Sequence, residues 1–259
     1  TVWPQNIKES LRGQYDTIRQ TISKRTCMNR SKPKHPVLLF APFVMIYAIA
    51  LDIYVPIVPE MPGFFQVSSS KIGLTLSLYM IAMGIGQIFF GPIADRFGRA
   101  RTASVSASLF VVGDLFCNLS PGFNLFLIGR ILQALGGCGM MVSAFASVRD
   151  YYSGQTGGKI FGKMSAAASV SPIIAPIIGS TLDYYFDWHS IFSFLTLLGC
   201  YLLGISFCFP VNRPSQKPLK LRLLLSQYRH IMLNPIFHRN LMSIVSTEAG
   251  FFCFFSLSP

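Results

Sequence analysis

The chain has 259 residues, of which 51% are hydrophobic and 12% are charged, and its mean hydropathy is +0.48. This composition is too apolar and too poor in charge for a water-soluble globular domain, so it indicates a protein that lies in a lipid bilayer. The formal net charge of +12 does not by itself indicate nucleic-acid binding. A protein that binds a polyanion gathers its Lys and Arg on one folded surface.

Six windows are long and apolar enough to cross a bilayer as α-helices, which takes about 20 residues each. In chain order they are Val37–Val58, Gly73–Ala94, Thr102–Leu119, Phe123–Val148, Met164–Leu182 and Trp188–Phe209. A seventh window begins near Leu241 and runs to Pro259. The sequence therefore predicts an all-α membrane protein with a cytoplasmic segment over 1–36, a six-helix bundle over 37–210, a linker over 211–240 and a truncated seventh helix over 241–259.

The basic residues lie in alternate connections between these windows. Eight Lys and Arg fall in 1–36, three in 95–101, three in 149–163 and six in 211–240, whereas the other connections hold only Lys71. Because cytoplasmic loops carry the excess of positive charge, this distribution predicts a cytoplasmic N-terminus. The net charge then reports topology, and we expect no nucleic-acid partner.

Residues 1–36 carry a second pattern. Apolar residues recur every three or four positions, at Ile7, Leu11, Tyr15, Ile18 and Ile22. This spacing is typical of an amphipathic helix that lies on the membrane surface, and a loosely ordered tail is the alternative. Six spans, a long basic linker and a new span together suggest one half of a two-half carrier. We expect the partner to be a missing C-terminal half or a second copy of the chain.

Four charged residues lie within predicted spans: Asp52, Asp114, Arg130 and Glu248. A charge at the middle of a bilayer costs about 2.5–3.5 kcal/mol on insertion scales, so each is expected to face the interior of the bundle. Counted from the span ends, Asp52, Asp114 and Arg130 lie at a similar depth, roughly 10 Å below one surface. We therefore expect them to meet in one layer.

Two carboxylates and one guanidinium in one layer leave a surplus negative charge, which a proton or a cationic substrate would neutralise. Tyr54, close to Asp52, is a candidate to line the same cavity, and Gln133, three residues after Arg130, is a candidate to bind the substrate. The alternative is that Arg130 only pairs with an aspartate to hold the first and fourth spans together. Interhelical hydrogen bonding is likewise the alternative for Tyr54 and Gln133.

The connection after the second span reads Gly91-Pro-Ile-Ala-Asp95-Arg96-Phe-Gly98-Arg99. It resembles the G-x-x-x-D-R-x-G-R motif of the major facilitator superfamily. We expect Gly91 and Gly98 to permit a tight turn and a close backbone approach. Asp95 is expected to lie at a helix N-terminus, where an anion is favoured. The arginines are expected to meet lipid phosphates or helix ends.

Two further stretches are similar to motifs of the same superfamily. The fourth span carries Arg130-Ile-Leu-Gln133, and the fifth carries Pro172 and Pro176 followed by Gly179. The latter resembles a motif of proton-coupled antiporters, from which Ser171 and Ser180 depart. The prolines lie on one face of the helix and are expected to bend it, which would shape the cavity or serve a rocking motion.

Together with the first span, the linker and the last window, these motifs resemble the bicyclomycin-resistance (Bcr/CflA) branch of drug/proton antiporters. The resemblance implies a carrier in a bacterial inner membrane that exports a small molecule, with the proton as coupling ion and no organic cofactor, metal or covalent reaction. In that mechanism Asp52 exchanges a proton for substrate, and Arg130 tunes and counters the charge of the Asp52 carboxylate. The alternatives are a partner-dependent or non-transporting half-carrier and a facilitator or importer of the same superfamily.

Overall fold

The computed structural model describes residue 33, residues 35–209 and a few positions near the C-terminus, namely 233, 235, 237–243, 245, 246 and 249. The predicted amphipathic helix, most of the linker, much of the seventh span and Glu248 lie outside these residues. The chain divides into two compact units, residues 1–215 and 216–259. The site described below lies in the first unit.

Six long helices form the described part of this unit. They are α1 (Pro36–Asp52), α2 (Ser69–Phe97), α3 (Arg99–Asn118), α4 (Phe123–Tyr151), α5 (Gly154–Tyr185) and α6 (Trp188–Ser206). All six are long and apolar enough to cross a membrane, α1 together with the short turn that follows it. The prediction of an all-α membrane fold with six spans is confirmed.

The helices differ from the predicted windows mainly at their ends. α5 begins at Gly154 rather than Met164, and α2 extends from Ser69 to Phe97. The windows follow apolarity, which stops at the edge of the hydrocarbon, whereas the helical backbone continues into the polar turns on either side.

Helix α4 is the central element of the bundle. It packs along α3 and also contacts α1 and α2, while α5 packs on α1 and α6 packs on α3. More than half of the most apolar window of α4 is buried, against 28% for α2 and 17% for α5. Helix α4 therefore supplies most of the interior against which a buried polar group can be held.

Glycines bring α3 and α4 into backbone contact. A Cβ atom added at Gly113 would lie 2.5 Å from the main-chain nitrogen of Gln133, and one added at Gly136 would lie 2.5 Å from that of Phe110. Small residues at helix contacts are the usual way in which membrane helices approach this closely. The two helices thus form a seam without space for intervening side chains.

The first span differs from its prediction as one continuous helix. Helix α1 ends at Asp52 and is followed by a 3-10 turn, Val55–Ile57, and a short helix, Met61–Phe65. Pro56 has no N–H to donate, and its ring clashes with the carbonyl four residues earlier, which belongs to Asp52. Ile53 still donates to the carbonyl of Ile49, but beyond it the helical pattern stops, and the carbonyl of Ala50 accepts from no main-chain N–H among the described residues.

Candidate functional site

The side chain of Arg130 lies at the centre of the bundle and is fully buried. Its Nη1 donates to the main-chain carbonyl of Ala50 at 3.0 Å and to Oε1 of Gln133 at 2.6 Å. Its guanidinium carbon lies 4.6 Å from the ring centroids of both Tyr54 and Tyr79. The cation is thus held between two aromatic rings and against the end of α1.

The break after Asp52 explains why α1 can hold this cation. Ala50 lies in the last turn of α1, where a carbonyl lacks a helical N–H partner and where the helix dipole is negative. Two aromatic ring faces add cation–π attraction, which is strongest for a desolvated cation. The sequence reasoning placed Arg130 against an aspartate, whereas the structure places it against a main-chain carbonyl and two tyrosines.

Gln133 connects Arg130 to Asp114. Because an arginine has no acceptor, Oε1 of Gln133 must face Arg130, which leaves the amide NH₂ to donate to Oδ1 of Asp114. Both Gln133 and Asp114 are fully buried. We call this set the central polar cluster; its members are the Ala50 carbonyl, Tyr54, Tyr79, Asp114, Arg130 and Gln133.

Three polar atoms of the central polar cluster have no hydrogen-bond partner in the described part of the chain. They are Oδ2 of Asp114 and the Nε and Nη2 atoms of Arg130. A buried polar atom without a partner costs about 1–3 kcal/mol, so such atoms are rare in folded proteins. The cluster therefore has spare capacity for both donating and accepting hydrogen bonds.

Asp52 is separate from this network. It is the last residue of α1, it is half-buried, and its side chain makes no hydrogen bond or ion pair with any described residue. Asp114 reaches Arg130 only through Gln133. The expected layer is thus present around Arg130 and Asp114, but it does not include a direct ion pair with either aspartate.

Asp52 ends a partly accessible stripe along α1. Among the residues of α1 that are not buried, five recur at helical spacing, at Leu38, Pro42, Met45, Ile49 and Asp52, while others such as Tyr47 and Leu51 are partly exposed beside them. The first three also line a groove of about 700 Å³ between the starts of α1 and α5, whose rim includes Lys159 and Lys163. One face of α1 therefore joins an apolar groove to a carboxylate.

A second buried arginine, Arg99, lies at one end of the bundle. We call this end the basic end because it carries Arg96, Arg99, Arg101 and Arg149. Arg99 bonds the carboxylate of Asp95 and, through Nε, that of Asp150 at 3.1 Å. Gly98 has a φ of 92°, which side chains rarely adopt, so it makes the expected turn between α2 and α3.

Two expectations about this motif are wrong. Asp95 lies in the last turn of α2 rather than at a helix N-terminus, and it is held by Arg99, four residues later. Gly91 lies inside α2, and a Cβ atom there would meet nothing within 4 Å, so it makes neither a turn nor a close approach. Arg96 is exposed and lies over the ring of Phe97 at 5.3 Å.

The connection between α4 and α5 also belongs to the basic end. The hydroxyl of Tyr152 donates to the carbonyl of Pro33 at 2.8 Å. Partial burial raises the pKa of Tyr152 above its ordinary value, because it disfavours the phenolate. This bond ties the approach to α1 to the start of α5.

The motif of the fifth span lies within α5. Pro172 and Pro176 are inside the helix, and both are partly buried. A Cβ atom at Gly179 would collide with the main-chain carbonyl of Ile53, the residue after the end of α1. Gly179 therefore permits α5 to pack on the broken end of α1, beside Asp52.

Sequence reasoning missed three partners: the Ala50 carbonyl, Tyr79 and Asp150. A main-chain carbonyl has no side-chain signature, and only the prolines after Asp52 indicated that one would be free. Tyr79 is one polar aromatic residue in an apolar span, and Asp150 stands beside Arg149 in a basic connection. Neither position carries a pattern that points to an arginine far away in the chain.

Comparison with known proteins gives a consistent result. A family model described as Major Facilitator Superfamily matches residues 40–259. A chloramphenicol resistance protein of Pseudomonas aeruginosa is 37% identical over 162 residues, which are 62% of this chain and 39% of that protein. Multidrug resistance protein MdtL of Escherichia coli (strain K12 / DH10B) is 31% identical over 173 residues, which are 66% of this chain and 44% of that protein.

Two solved structures share the fold. The proton:xylose symporter XylE matches with a TM-score of 0.62 and 15% identity, over 68% of this chain and 44% of that one. A D-xylose-proton symporter matches with a TM-score of 0.60 and 16% identity, over 81% of this chain and 55% of that one. The chain spans about two fifths of the length of the curated relatives, at 39% and 44%.

Proposed function

The chain belongs to the major facilitator superfamily, and from this premise we propose that it is one half of a carrier that exports drugs or small metabolites in exchange for protons. It is a multi-pass membrane protein, and its superfamily consists of transporters rather than enzymes. The proposal adds the bacterial inner membrane as the location, a cytoplasmic N-terminus, outward direction and the proton as coupling ion.

The relatives support export. Two of the matched proteins are named for resistance to chloramphenicol or to many drugs. Resistance of this kind is what outward transport produces. The symporter structures support the fold alone, so they do not bear on the direction of transport or on the substrate.

The observation that carries the proposal is the accessible, unpaired carboxylate of Asp52 at the broken end of α1. A carboxylate that is half-buried and has no ion-pair partner among the described residues can take up a proton or a cation from the accessible side. Two residues earlier, the carbonyl of Ala50 holds Arg130. The exchange site and the buried cation thus share the last turn of α1.

The mechanism follows from this shared turn. When substrate enters along the accessible stripe of α1, Asp52 releases its proton, and the two halves of the carrier rock around the site. Gly179 keeps α5 in contact with the main chain next to Asp52, so α5 moves with that turn. Arg130 bonds the Ala50 carbonyl on the other side of the same turn. This bond restrains α1, so that the helix does not move before the exchange at Asp52 has occurred.

Chloramphenicol export tests the proposal. The chain is expressed from its complete natural reading frame in cells that lack their own drug pumps, and accumulation of labelled chloramphenicol is measured with and without a proton gradient. We expect gradient-dependent export by the wild type, loss of it in Asp52→Asn, and partial retention in Asp52→Glu. Glu60→Gln is the matched control, because Glu60 is an exposed carboxylate eight positions further along. Gradient-dependent export by Asp52→Asn would remove Asp52 from the mechanism.

A second candidate is a half-carrier that needs a partner. The chain spans 39% and 44% of the lengths of the two curated relatives. The mass of the polypeptide in isolated membranes separates the two cases. A product about the size of the printed sequence would require co-expression with a second half, or a dimer, before export is expected. Gradient-independent equilibration of the drug in either case would favour a facilitator, and gradient-driven uptake an importer.

A further inference from the structure

We propose that Asp114 is a second, buried proton site, and that loss of its proton draws Arg130 away from the end of α1. The role of this site in transport rests on the proposed function. Its protonation and its effect on α1 are properties of the chain itself, and both are measurable without any substrate.

Asp114 is a poor place for a negative charge. Its side chain is fully buried within a predicted membrane span, and among the described residues only the neutral amide of Gln133 donates to it. Its Oδ2 has no partner in the described part of the chain. An isolated buried carboxylate costs so much free energy that the group takes up a proton instead. Oδ2 is the free position for that proton, because Oδ1 already accepts from Gln133.

The groups around Asp114 do not change this conclusion. Arg130 on α4, Tyr79 on α2 and Cys117 on α3 are the titratable or charged residues with which it interacts electrostatically in the described bundle. Tyr79 and Cys117 are neutral partners at ordinary pH. Arg130 is the one cation among them, and Gln133 stands between its guanidinium and Asp114.

Arg130 is held better than Asp114. A carbonyl at the negative end of α1, the Oε1 atom of Gln133 and two aromatic rings surround the guanidinium. These groups stabilise the cation without a carboxylate. When Asp114 carries a proton, these groups still stabilise the charge of Arg130. The neutral acid of Asp114 is therefore the form that the geometry favours.

Water has little access to this position. The seam between α3 and α4 runs beside Asp114, where Gly113 lies against the main chain of Gln133 and Gly129 lies against that of Cys117. The proton is thus not exchanged freely with solvent. It leaves when a fluctuation of the seam admits water, and the cluster rearranges after the proton is lost. This behaviour is required of a coupled proton and not of an exposed one.

The spare donors of Arg130 provide that rearrangement. Nε and Nη2 have no partner among the described residues, whereas Nη1 bonds Ala50 and Gln133. If Asp114 loses its proton to water, the new carboxylate and these donors attract each other. A bond between two ionised groups is stronger than the bond from the guanidinium to the neutral carbonyl of Ala50. Arg130 then moves toward α3, and the last turn of α1 loses its restraint.

Infrared spectroscopy of the purified chain in lipid nanodiscs tests the protonation. At neutral pH we expect the C=O stretching band of a protonated carboxylic acid that shifts only slowly after transfer to D₂O. We expect Asp114→Asn to remove this slowly exchanging band and Asp52→Asn to leave it in place. If Asp114→Asn does not fold by size-exclusion chromatography, ¹³C-aspartate labelling of the wild type must shift the slow band. Absence of a slowly exchanging aspartic acid band would overturn the proposal.

Hydrogen exchange tests the link to α1. After correction for the intrinsic rate, we expect the amides of Ile53 and Ile57, which donate to the carbonyls of Ile49 and Tyr54, to lose protection in the wild type as pH rises. We expect Asp114→Asn to keep that protection. Equal loss in both proteins would disprove the link. Export is not measured in either experiment, so a failure here is distinct from a failure of the proposed function, which the chloramphenicol assay detects.

Discussion

Arg99 and Arg130 are both buried, with exposures of 5% and 0%, but they meet opposite kinds of partner. Arg99 bonds two carboxylates, Asp95 and Asp150, which are themselves partly exposed. Arg130 bonds a main-chain carbonyl and an amide, and its nearest acidic side chain is reached only through Gln133. One arginine is neutralised at the edge of the bundle, and the other keeps its charge in the centre.

The difference shows what each arginine can do. Arg99 joins the end of α2 and the start of α3 to the end of α4, and its charge is balanced without further change. Among the described residues Arg130 keeps two unpartnered donor atoms, against one, Nη1, for Arg99, and it lies against the last turn of α1, where the α-helix ends. The first arrangement holds helices in place, and the second can respond to a new charge.

Replacement of each arginine by lysine is expected to have the largest effect. Lysine offers a point charge that suits the partly exposed carboxylates around Arg99, but it cannot reproduce the planar stacking and the two directed bonds of Arg130. We expect Arg130→Lys to reduce chloramphenicol export to the level of cells without the carrier, and Arg99→Lys to retain most of it. Equal loss in the two variants, at equal amounts in the membrane, would contradict the distinction.

A methyl group added to each region is expected to have an intermediate effect. A Cβ atom at Gly113 collides with the main chain of Gln133, so Gly113→Ala must separate α3 from α4 and is expected to cost about 1–3 kcal/mol. Gly91→Ala is the control; it meets open space, and the higher helix propensity of alanine favours it by up to about 1 kcal/mol. Thermal unfolding in detergent measures both. Similar midpoints for the two variants would rule out a tight seam.

Removal of one charge at the basic end is expected to have the smallest effect. The side chain of Asp150 is 27% exposed and that of Asp95 is 58% exposed, so both pairs with Arg99 are screened by solvent. We expect Asp150→Asn to cost about 0.2–1 kcal/mol, less in high salt, and Asp95→Asn to cost still less. Thermal unfolding at two salt concentrations measures the difference. A larger effect of Asp95→Asn would show that exposure does not rank the two pairs.

Much of the fold was predictable because it follows from apolar length. The six spans needed only windows of about 20 apolar residues, and α4 was recognised although it contains Arg130. The end of α1 was not predicted, because the window passed over Pro56 and Pro59 as if they were ordinary apolar residues. Their effect on the backbone outweighed their contribution to hydropathy.

The site was predicted in part for a similar reason. Counting residues from the span ends gave the depth of Asp114 and Arg130, but depth does not give the direction in which a side chain leaves its helix. The side-chain directions place Gln133 between Asp114 and Arg130, and they place Asp52 on the accessible stripe of α1. The Ala50 carbonyl had no signal of its own, since every residue carries one.

The order of the chain has a consequence for how Arg130 enters the membrane. Its partners outside α4, namely Ala50, Tyr54 and Tyr79, all precede it in the sequence, and Gln133 follows within the same helix. A nascent chain emerges from its N-terminus, so these groups are already synthesised when α4 leaves the ribosome. The cost of inserting a lone arginine, about 2.5–3.5 kcal/mol, is offset by contacts that need no later segment. Assembly of this half of the bundle can therefore proceed during translation.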